Sequence, residues 1–472
     1  MFPRVLVLTP LILGITACAD SDSTLPVGAP RHVILISIDT LRADHLGAYG
    51  YPRPTTPFLD SLARDGVLFE NQMSNSNNTL SSHASILSGI VPMAHGARDG
   101  GSKETRFPLA GSVDTLAERM SDAGYTSAAF TSHPAWLGRG FGLDQGFDHL
   151  ESEWWNARDM SRALLRWLDK DSPSHLFAFL HFYDVHSDAR DPLITLPYTS
   201  EPEFQQRFAG TPPAEFTGLV PGHGSECCTR WLEAANAHEI TLSPAELEYV
   251  RGLYDAGLSQ LDRDLSVLFG ELRRRGFLDE ALIVVTSDHG EEFWEHGQLM
   301  HGGMHDEIAH VPLIIVPPLG TKPRLRTINS VTRSIDIAPT IAEFVGVPSI
   351  GNGKSLKDAF VNGAPLEDGE VMFLESVLRM TDEQGPYRFE ENDTQPHLWD
   401  LLTDPAERHD LLEKDPTPAT LLRANAARAR LRKLRWAATT FEKQSRLHSE
   451  TNAPKLSPEQ ESLLKSLGYG GH

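Results

Sequence analysis

Residues 282–290 read Leu-Ile-Val-Val-Thr-Ser-Asp-His-Gly. The first five are apolar or β-branched, and the run is shorter than an ordinary helix. It reads as a strand buried on both faces, the kind found in parallel sheets. The strand runs straight into Ser287, Asp288 and His289, with Gly290 behind them. In open α/β sheets, ligands gather beyond the carboxyl ends of the strands. This stretch therefore points to both a fold class and a place for chemistry.

The same pattern recurs outward along the chain. His32–Ile38 (HVILISI) is a second buried-type strand, and it ends in Asp39. Leu176–Phe182 is a third, carrying His181 and running into Tyr183-Asp184-Val185-His186. Thr126–Thr131 and Leu313–Val316 add two more. Helical spacing appears at Thr56–Arg64, Ser82–Leu87, Val113–Ala123, Ala245–Arg275 and Ile335–Val345, several of them closed by a glycine. Strands alternating with helices predict a doubly wound, mostly parallel α/β sheet flanked by helices, over residues 31–350. Within it, residues 188–243 are rich in Pro, Gly and Glu and weakly periodic, as expected of a variable insertion that shapes a pocket. Residues 351–472 change character. A strand at Glu370–Leu374, a segment at His397–Leu402 and a charged helix at Pro418–Lys443 predict a smaller C-terminal α+β subdomain with a helical tail.

Composition narrows the function classes. With 40% apolar and 22% charged residues, the chain is an ordinary globular protein, not a disordered or polytopic membrane one. Its 42 basic residues against 64 acidic ones give a net charge of −22, which argues against a nucleic-acid partner. An anionic substrate is still allowed, because a bound metal can reverse the local field. Met1–Cys18 reads MFPRVLVLTPLILGITAC: one Arg, a short apolar run, then small residues before a Cys. Residues 1–17 match a secretory signal peptide, too short for a comfortable permanent span. The ending resembles a bacterial lipobox. In that reading Cys18 is lipidated, residues 18–30 form a tether, and the protein is a periplasmic or outer-membrane-anchored lipoprotein. An ordinary cleaved signal is the other reading. Cys227 and Cys228 are adjacent, which offers no disulfide framework and no spaced zinc motif. A vicinal disulfide and a pair of free thiols are both open, as is the oligomeric state.

Four segments carry the chemistry. Asp39, in Ile36-Ser37-Ile38-Asp39-Thr40-Leu41-Arg42, is a metal ligand or a helix cap. The second, Asn78-Thr79-Leu80-Ser81-Ser82-His83, clusters hydroxyls ahead of a short helix, where oriented N–H groups suit an anion and a nucleophile. The third continues Asp288-His289 through Glu291-Glu292 to Glu295-His296-Gly297 and His301-Gly302-Gly303. A carboxylate with an imidazole suits zinc or manganese. His296 and His305 either extend that cluster or sit at the surface. His181 and His186, in the fourth, could protonate a leaving group or bind oxyanion oxygens, and one of them could instead orient a neighbour.

In order, these segments resemble the sulfatase branch of the alkaline phosphatase superfamily. The likeness runs through IDTLRADHLGAYGY, TLSSHASILSG, HGARDGG, FLHFYDVH, SDHGEEFWEHG, HVPLIIVP, SIDIAPTIAEFVG and LWDLLTDPAERHDLL. It implies one divalent metal, zinc or manganese before calcium, held by Asp39, Asp288, His289 and the Thr79 oxygen. It makes Thr79 the nucleophile and His186 and His301 its catalytic partners. His83, His181 and Arg42 complete the expected substrate-binding set. The departures matter as much. Sulfatases place a Cys or Ser, converted to formylglycine, in a Cys-x-Pro-x-Arg frame. Here the frame reads Thr79-Leu80-Ser81-Ser82-His83. A Thr cannot give formylglycine. A Thr nucleophile with an Asp-His metal pair looks like the phosphodiesterases and phosphoethanolamine-type transferases of the superfamily. The expectation is a phosphoester, above all phosphodiester, hydrolase. Alternatives are a sulfatase acting without formylglycine, group transfer to an envelope glycan or lipid, and a non-catalytic binding lipoprotein.

Overall fold

Strand His32–Ile38 carries a strict alternation. Val33 and Leu35 pack into one apolar cluster, and Ile34, Ile36 and Ile38 into another. Strand residues alternate between sheet faces, so this strand is central and covered on both sides. Its neighbours repeat the pattern: Phe177 and Phe179 face the first cluster, while Leu176, Ala178 and Leu180 face the second. The computed structural model describes residues 25, 28–102, 105–187, 196–214, 216, 228–367, 370–373, 376–391 and 395–445. Cys18 and Cys227, the signal-peptide segment and much of the 188–243 insertion lie outside them.

Among the described residues, eight strands form the main sheet, in the order 327–328, 67–69, 313–316, 281–286, 32–38, 176–182, 126–131 and 149–152. His32–Ile38 pairs parallel with Leu176–Phe182 on one side and with Ala281–Thr286 on the other. Thr126–Thr131 and His149–Ser152 continue the parallel run. Leu313–Val316 is antiparallel to both its neighbours. The short strands 67–69, 149–152 and 327–328, the last two at the sheet's edges, escape a sequence reading because they are too brief to show a period.

Helices cover both faces. Pro244–Arg274 is 31 residues long, opened by a reciprocal capping box between Ser243 and Glu246. Beside it lies Ala157–Asp171, a helix the sequence reading did not find; its Met160, Ala163, Leu164 and Leu168 face the second cluster. The opposite face carries Thr79–Ser88, Leu116–Asp122 and Ile337–Val345. Leu116–Asp122 starts three residues later than the apolar spacing suggests, because Thr115 caps it with Glu118. A four-stranded antiparallel sheet, Val371–Phe373 to Pro396–Asp400, and helix Pro418–Ser445 follow. Leu378, Phe389, Leu398, Ala427 and Leu431 from this part share one cluster with Val33 and Leu35, so the two sheets stand on a common core.

Helix Thr79–Ser88 is secured at its far end by His95. The Ala97 N–H donates to Nδ1 at 3.0 Å, so the ring proton sits on Nε2, 3.1 Å from the Ser85 hydroxyl. Burial pushes His95 from 6.5 down to about 3. The folded chain therefore refuses a proton that the unfolded chain accepts below about 6.5. Its contribution is whole above that value and is lost as the pH falls toward 3, at up to about 1.4 kcal/mol per pH unit. Denaturation midpoints measured across that window should fall less steeply in His95→Gln than in the parent chain.

Candidate active site

Three adjacent strands deliver the polar atoms at one level. Ser37 sits opposite His181 on one side and Thr286 on the other. Asp39, His181, Asp288 and His289 consequently meet at the same sheet end, all fully buried. Asp39 Oδ1 lies 3.9 Å from His289 Nε2, and Asp288 Oδ2 lies 3.4 Å from it. The backbone aims these groups. Asp288 Oδ1 accepts from the N–H of His289 at 3.0 Å and of Thr40 at 3.4 Å, which leaves Oδ2 for the cavity. Thr40 adopts φ 53°, a left-handed conformation unfavourable for a β-branched residue. The Tyr254 hydroxyl donating to its carbonyl, and its own hydroxyl donating to Val185 O, hold it there.

The donor set fits a divalent metal. Asp288 Oδ2 and His289 Nε2 are buried and have no hydrogen-bond partner among the described residues. Such groups are costly unless a cation completes them. His289 Nδ1 lies 3.1 Å from Gly290 O; it can only donate there, so Nε2 keeps its lone pair. Burial, with His301 adding to it, holds His289 well below its ordinary value, in the neutral form a metal needs. Burial and the adjacent Asp39 push Asp288 up to about 7. Asp39, Asp288 and His289 thus come together as a group that could hold a metal ion.

Thr79 stands beside this set. The hydroxyl cluster expected ahead of a helix lies within it: the helix begins at Thr79, and Asn78 caps it by accepting from the Ser81 N–H. His83, one turn on, lies 2.7 Å from Thr79 O through Nδ1 and 2.9 Å from the Ser37 hydroxyl through Nε2. Its Nδ1 is also 3.8 Å from Asp288 Oδ2. Burial keeps it neutral, down at about 4.

The three expected substrate contacts each have partners within the protein. His83 is wholly buried and ties the first turn of the helix to the central strand. His181 Nε2 lies 3.2 Å from Asp39 Oδ2 and orients that carboxylate. Arg42 is committed to Asp44 at 2.8 Å, to Glu295 at 2.9 Å and to the Glu291 carbonyl at 2.9 Å. It fastens the loop after Asp39 to the segment that carries Glu291.

His186 and His301 do come to the metal set. The His301 ring is 4.5 Å from that of His289 and 5.0 Å from that of His186, which stacks on Tyr183 at 4.2 Å. His301 Nδ1 lies 3.4 Å from Glu291 Oε1. Burial opposes charge on His301, but Glu291, Asp39 and Asp288 outweigh it and raise its pKa above the ordinary value. Sequence reasoning did not single out Glu291, nor Asn77, whose side-chain amide donates to the carbonyls of His301 and Gly303 at 3.0 and 3.2 Å. Nearness to Asp288 and Thr79 is the only signal either gave.

A buried carboxylate–imidazole metal set at the strand ends, with a hydroxyl on a helix N-terminus beside it, defines an ester-hydrolase centre. The chain belongs to the sulfatase family, whose model matches residues 31–347, within the alkaline phosphatase superfamily. It is an ester-bond hydrolase of that family. It is similar to arylsulfatase K of Bos taurus, 35% identical over 22% of this chain and 19% of that protein, so the match spans about a fifth of that relative. It is similar to the multifunctional alkaline phosphatase superfamily protein PehA of Trinickia caryophylli, 23% identical over 84% of this chain and 94% of that one. Among solved structures it shares its fold with the phosphonate monoester hydrolase of Agrobacterium radiobacter. That TM-score is 0.62, at 20% identity over 86% of this chain and 96% of the other.

His181 meets the candidate metal ligands through Asp39. Its replacement by Asn is expected to weaken metal affinity by about 10–100-fold, whereas Asp288→Asn should remove tight binding at this centre altogether. Chelator competition distinguishes the two outcomes.

Proposed function

We propose that the chain hydrolyses phosphoesters, phosphodiesters above all, with Thr79 as nucleophile. The observation that carries this reading is Thr79 itself. It opens a helix that His83 links to Asp288, at the position where sulfatases need a residue convertible to formylglycine. A sulfo-threonine ester would lack the hemiacetal route by which a formylglycine hydrate expels sulfate. A phospho-threonine ester is open to attack by water.

When bound, the metal lowers the pKa of the Thr79 hydroxyl, whose proton leaves to solvent, and offsets charge on the phosphoryl oxygens. Thr79 Oγ1 attacks phosphorus opposite the leaving oxygen. The new O–P bond forms as the bond to the leaving group breaks. His301, whose imidazolium the Glu291 carboxylate favours, gives its proton to the departing alcohol. A water then attacks phospho-Thr79 and passes a proton to His301; the P–O bond to Thr79 breaks, the phosphomonoester leaves, and Thr79 Oγ1 takes back from solvent the proton it lost. His186 hydrogen-bonds a non-bridging oxygen throughout. The multifunctional superfamily relative and the phosphonate monoester hydrolase fold support a phosphorus centre. The arylsulfatase K match supports the second reading, sulfate ester hydrolysis without formylglycine.

Side-by-side assay of chromogenic phosphodiester, phosphomonoester and sulfate ester decides between them. Thr79→Ala should abolish phosphodiester turnover with metal content intact. Dominant sulfate release that depends on Thr79 would overturn the assignment. His301→Asn should slow esters with alkyl leaving groups by about 10²–10⁴-fold, and nitrophenyl esters far less. For the alkyl esters the rate should fall as pH rises through the raised His301 pKa. Glu291→Gln should move that fall to lower pH, because it removes the charge that stabilises the imidazolium.

We also propose that Cys18 is lipidated and anchors the enzyme in the cell envelope, where anionic envelope esters are the accessible substrates. The lipobox-like ending of the first segment supports this. Among the described residues no helix is long and apolar enough to cross a membrane. Labelled palmitate should enter the parent chain and not Cys18→Ser; equal labelling of both would refute the anchor.

A further inference from the structure

The register that joins Asp39 to Asp288 continues across the sheet. Thr286, Ser37, His181, Thr131 and Ser152 lie opposite one another on five neighbouring parallel strands. Two residues beyond that level stand Asp288, Asp39, Tyr183, His133 and Trp154. The chains stay aligned there. The Asp39 N–H donates to Phe182 O at 2.9 Å, and the N–H groups of Ser132 and Glu153 donate to His181 O and Thr131 O, both at 3.1 Å. Trp154 closes the row at the sheet's edge, at the same sheet end as the metal set.

Trp154 and Trp155 are consecutive but differently used. Trp155 packs against the second apolar cluster. Trp154 is half-buried and belongs to no apolar cluster among the described residues. Its ring meets His133 at 4.7 Å and Tyr183 at 5.9 Å, tilted by 51° and 66°. Among the described residues no ring lies flat on the indole. Strand spacing puts the backbones of Trp154 and Tyr183 about 9.6 Å apart, two strands away from each other. Their rings are nearer than that, so the two side chains lean together over His133, which is fully buried. From Tyr183 the rings continue to His186 at 4.2 Å, and from His186 to His301 at 5.0 Å. An aromatic wall thus runs from the reacting centre to the edge of the sheet.

We propose that Trp154 is a specificity-determining residue that receives a flat ring, aryl or sugar, carried by the ester. Both ring types present an apolar face, which an indole accepts at little cost in side-chain freedom. Pockets for small molecules are commonly walled in this way, with a few polar groups at the reacting end. The inference rests on ester hydrolysis at this centre and holds whether phosphorus or sulfur is attacked.

The test uses the full chain, supplied with metal, and three ethyl phosphodiesters: those of ethanol, of benzyl alcohol and of the 6-hydroxyl of a methyl glucoside. Each presents primary alkyl oxygens to phosphorus, so the ring is the difference between them. Sulfate esters of the same alcohols are run alongside. Trp154→Ala should lose about tenfold in kcat/KM on one or both ring esters, and much less on the ethyl ester. Trp154→Phe should recover most of that loss. A loss on one ring ester alone supports the proposal and names the ring. An equal loss on all three alcohols would overturn it, since that marks a tryptophan that only supports the fold. So would ring esters that Trp154→Ala cleaves as well as the parent chain does. If the sulfates respond and the phosphodiesters are not cleaved, the phosphoester reading of Thr79 falls and this one stands. Calorimetric binding of benzylphosphonate and methylphosphonate needs no turnover. The parent chain should hold the benzyl compound more tightly, and Trp154→Ala should close the gap. No preference in the parent would overturn the proposal.

Discussion

Two carboxylates and an imidazole are buried together at the end of a sheet. The rest of the active site is arranged around that constraint. Burial alone would protonate Asp288, and Asp39 beside it makes the charge harder still to hold. The surroundings do not relieve this with a basic side chain. Histidines take the nearby positions instead: His83, kept neutral by burial, bonds Thr79 O and the Ser37 hydroxyl, and His181 lies 3.2 Å from Asp39 Oδ2. The attraction for a divalent cation therefore stays undiluted. An arginine in the place of either would have quenched it.

Ordinary sheet physics puts these groups in reach of one another. Three parallel strands in register end at one level, so a residue just past each end falls into the same space. The helix that carries Thr79 is docked on the odd-numbered face of the central strand, the face from which Ser37 meets His83. A one-residue slip of that strand would carry Ser37 to the opposite face and free the helix from its anchor. The nucleophile's position is thus fixed by strand register as much as by its own helix.

The central strands were legible because their apolar runs are unbroken and end in ionisable residues. The long helix was legible because Ser243 and Glu246 mark its start and Gly276 its end. The grouping of Asp39, Asp288 and His289 could be read because each follows the end of a buried strand, although Asp39 could equally have been read as a helix cap. The roles of Arg42, His83 and His181 could not. Each is the kind of residue that contacts an anion, and each is diverted by a partner distant in sequence: Glu295, Ser37 and Asp39 respectively. Glu291 and Asn77 were missed for the converse reason. Their work depends on where His301 lies, and the loop that places it has no period to read.

Asn77 has one further effect. Its amide grips two carbonyls of the 301–303 loop from a position two residues before the nucleophile. The segment carrying His301 is thereby pinned to the segment carrying Thr79, and neither can swing away without breaking both bonds. Catalytic partners joined in this way move as one body. Such a site does not close over its substrate by drawing them together. It stands ready-made, and discrimination among esters falls to the rim through which they enter.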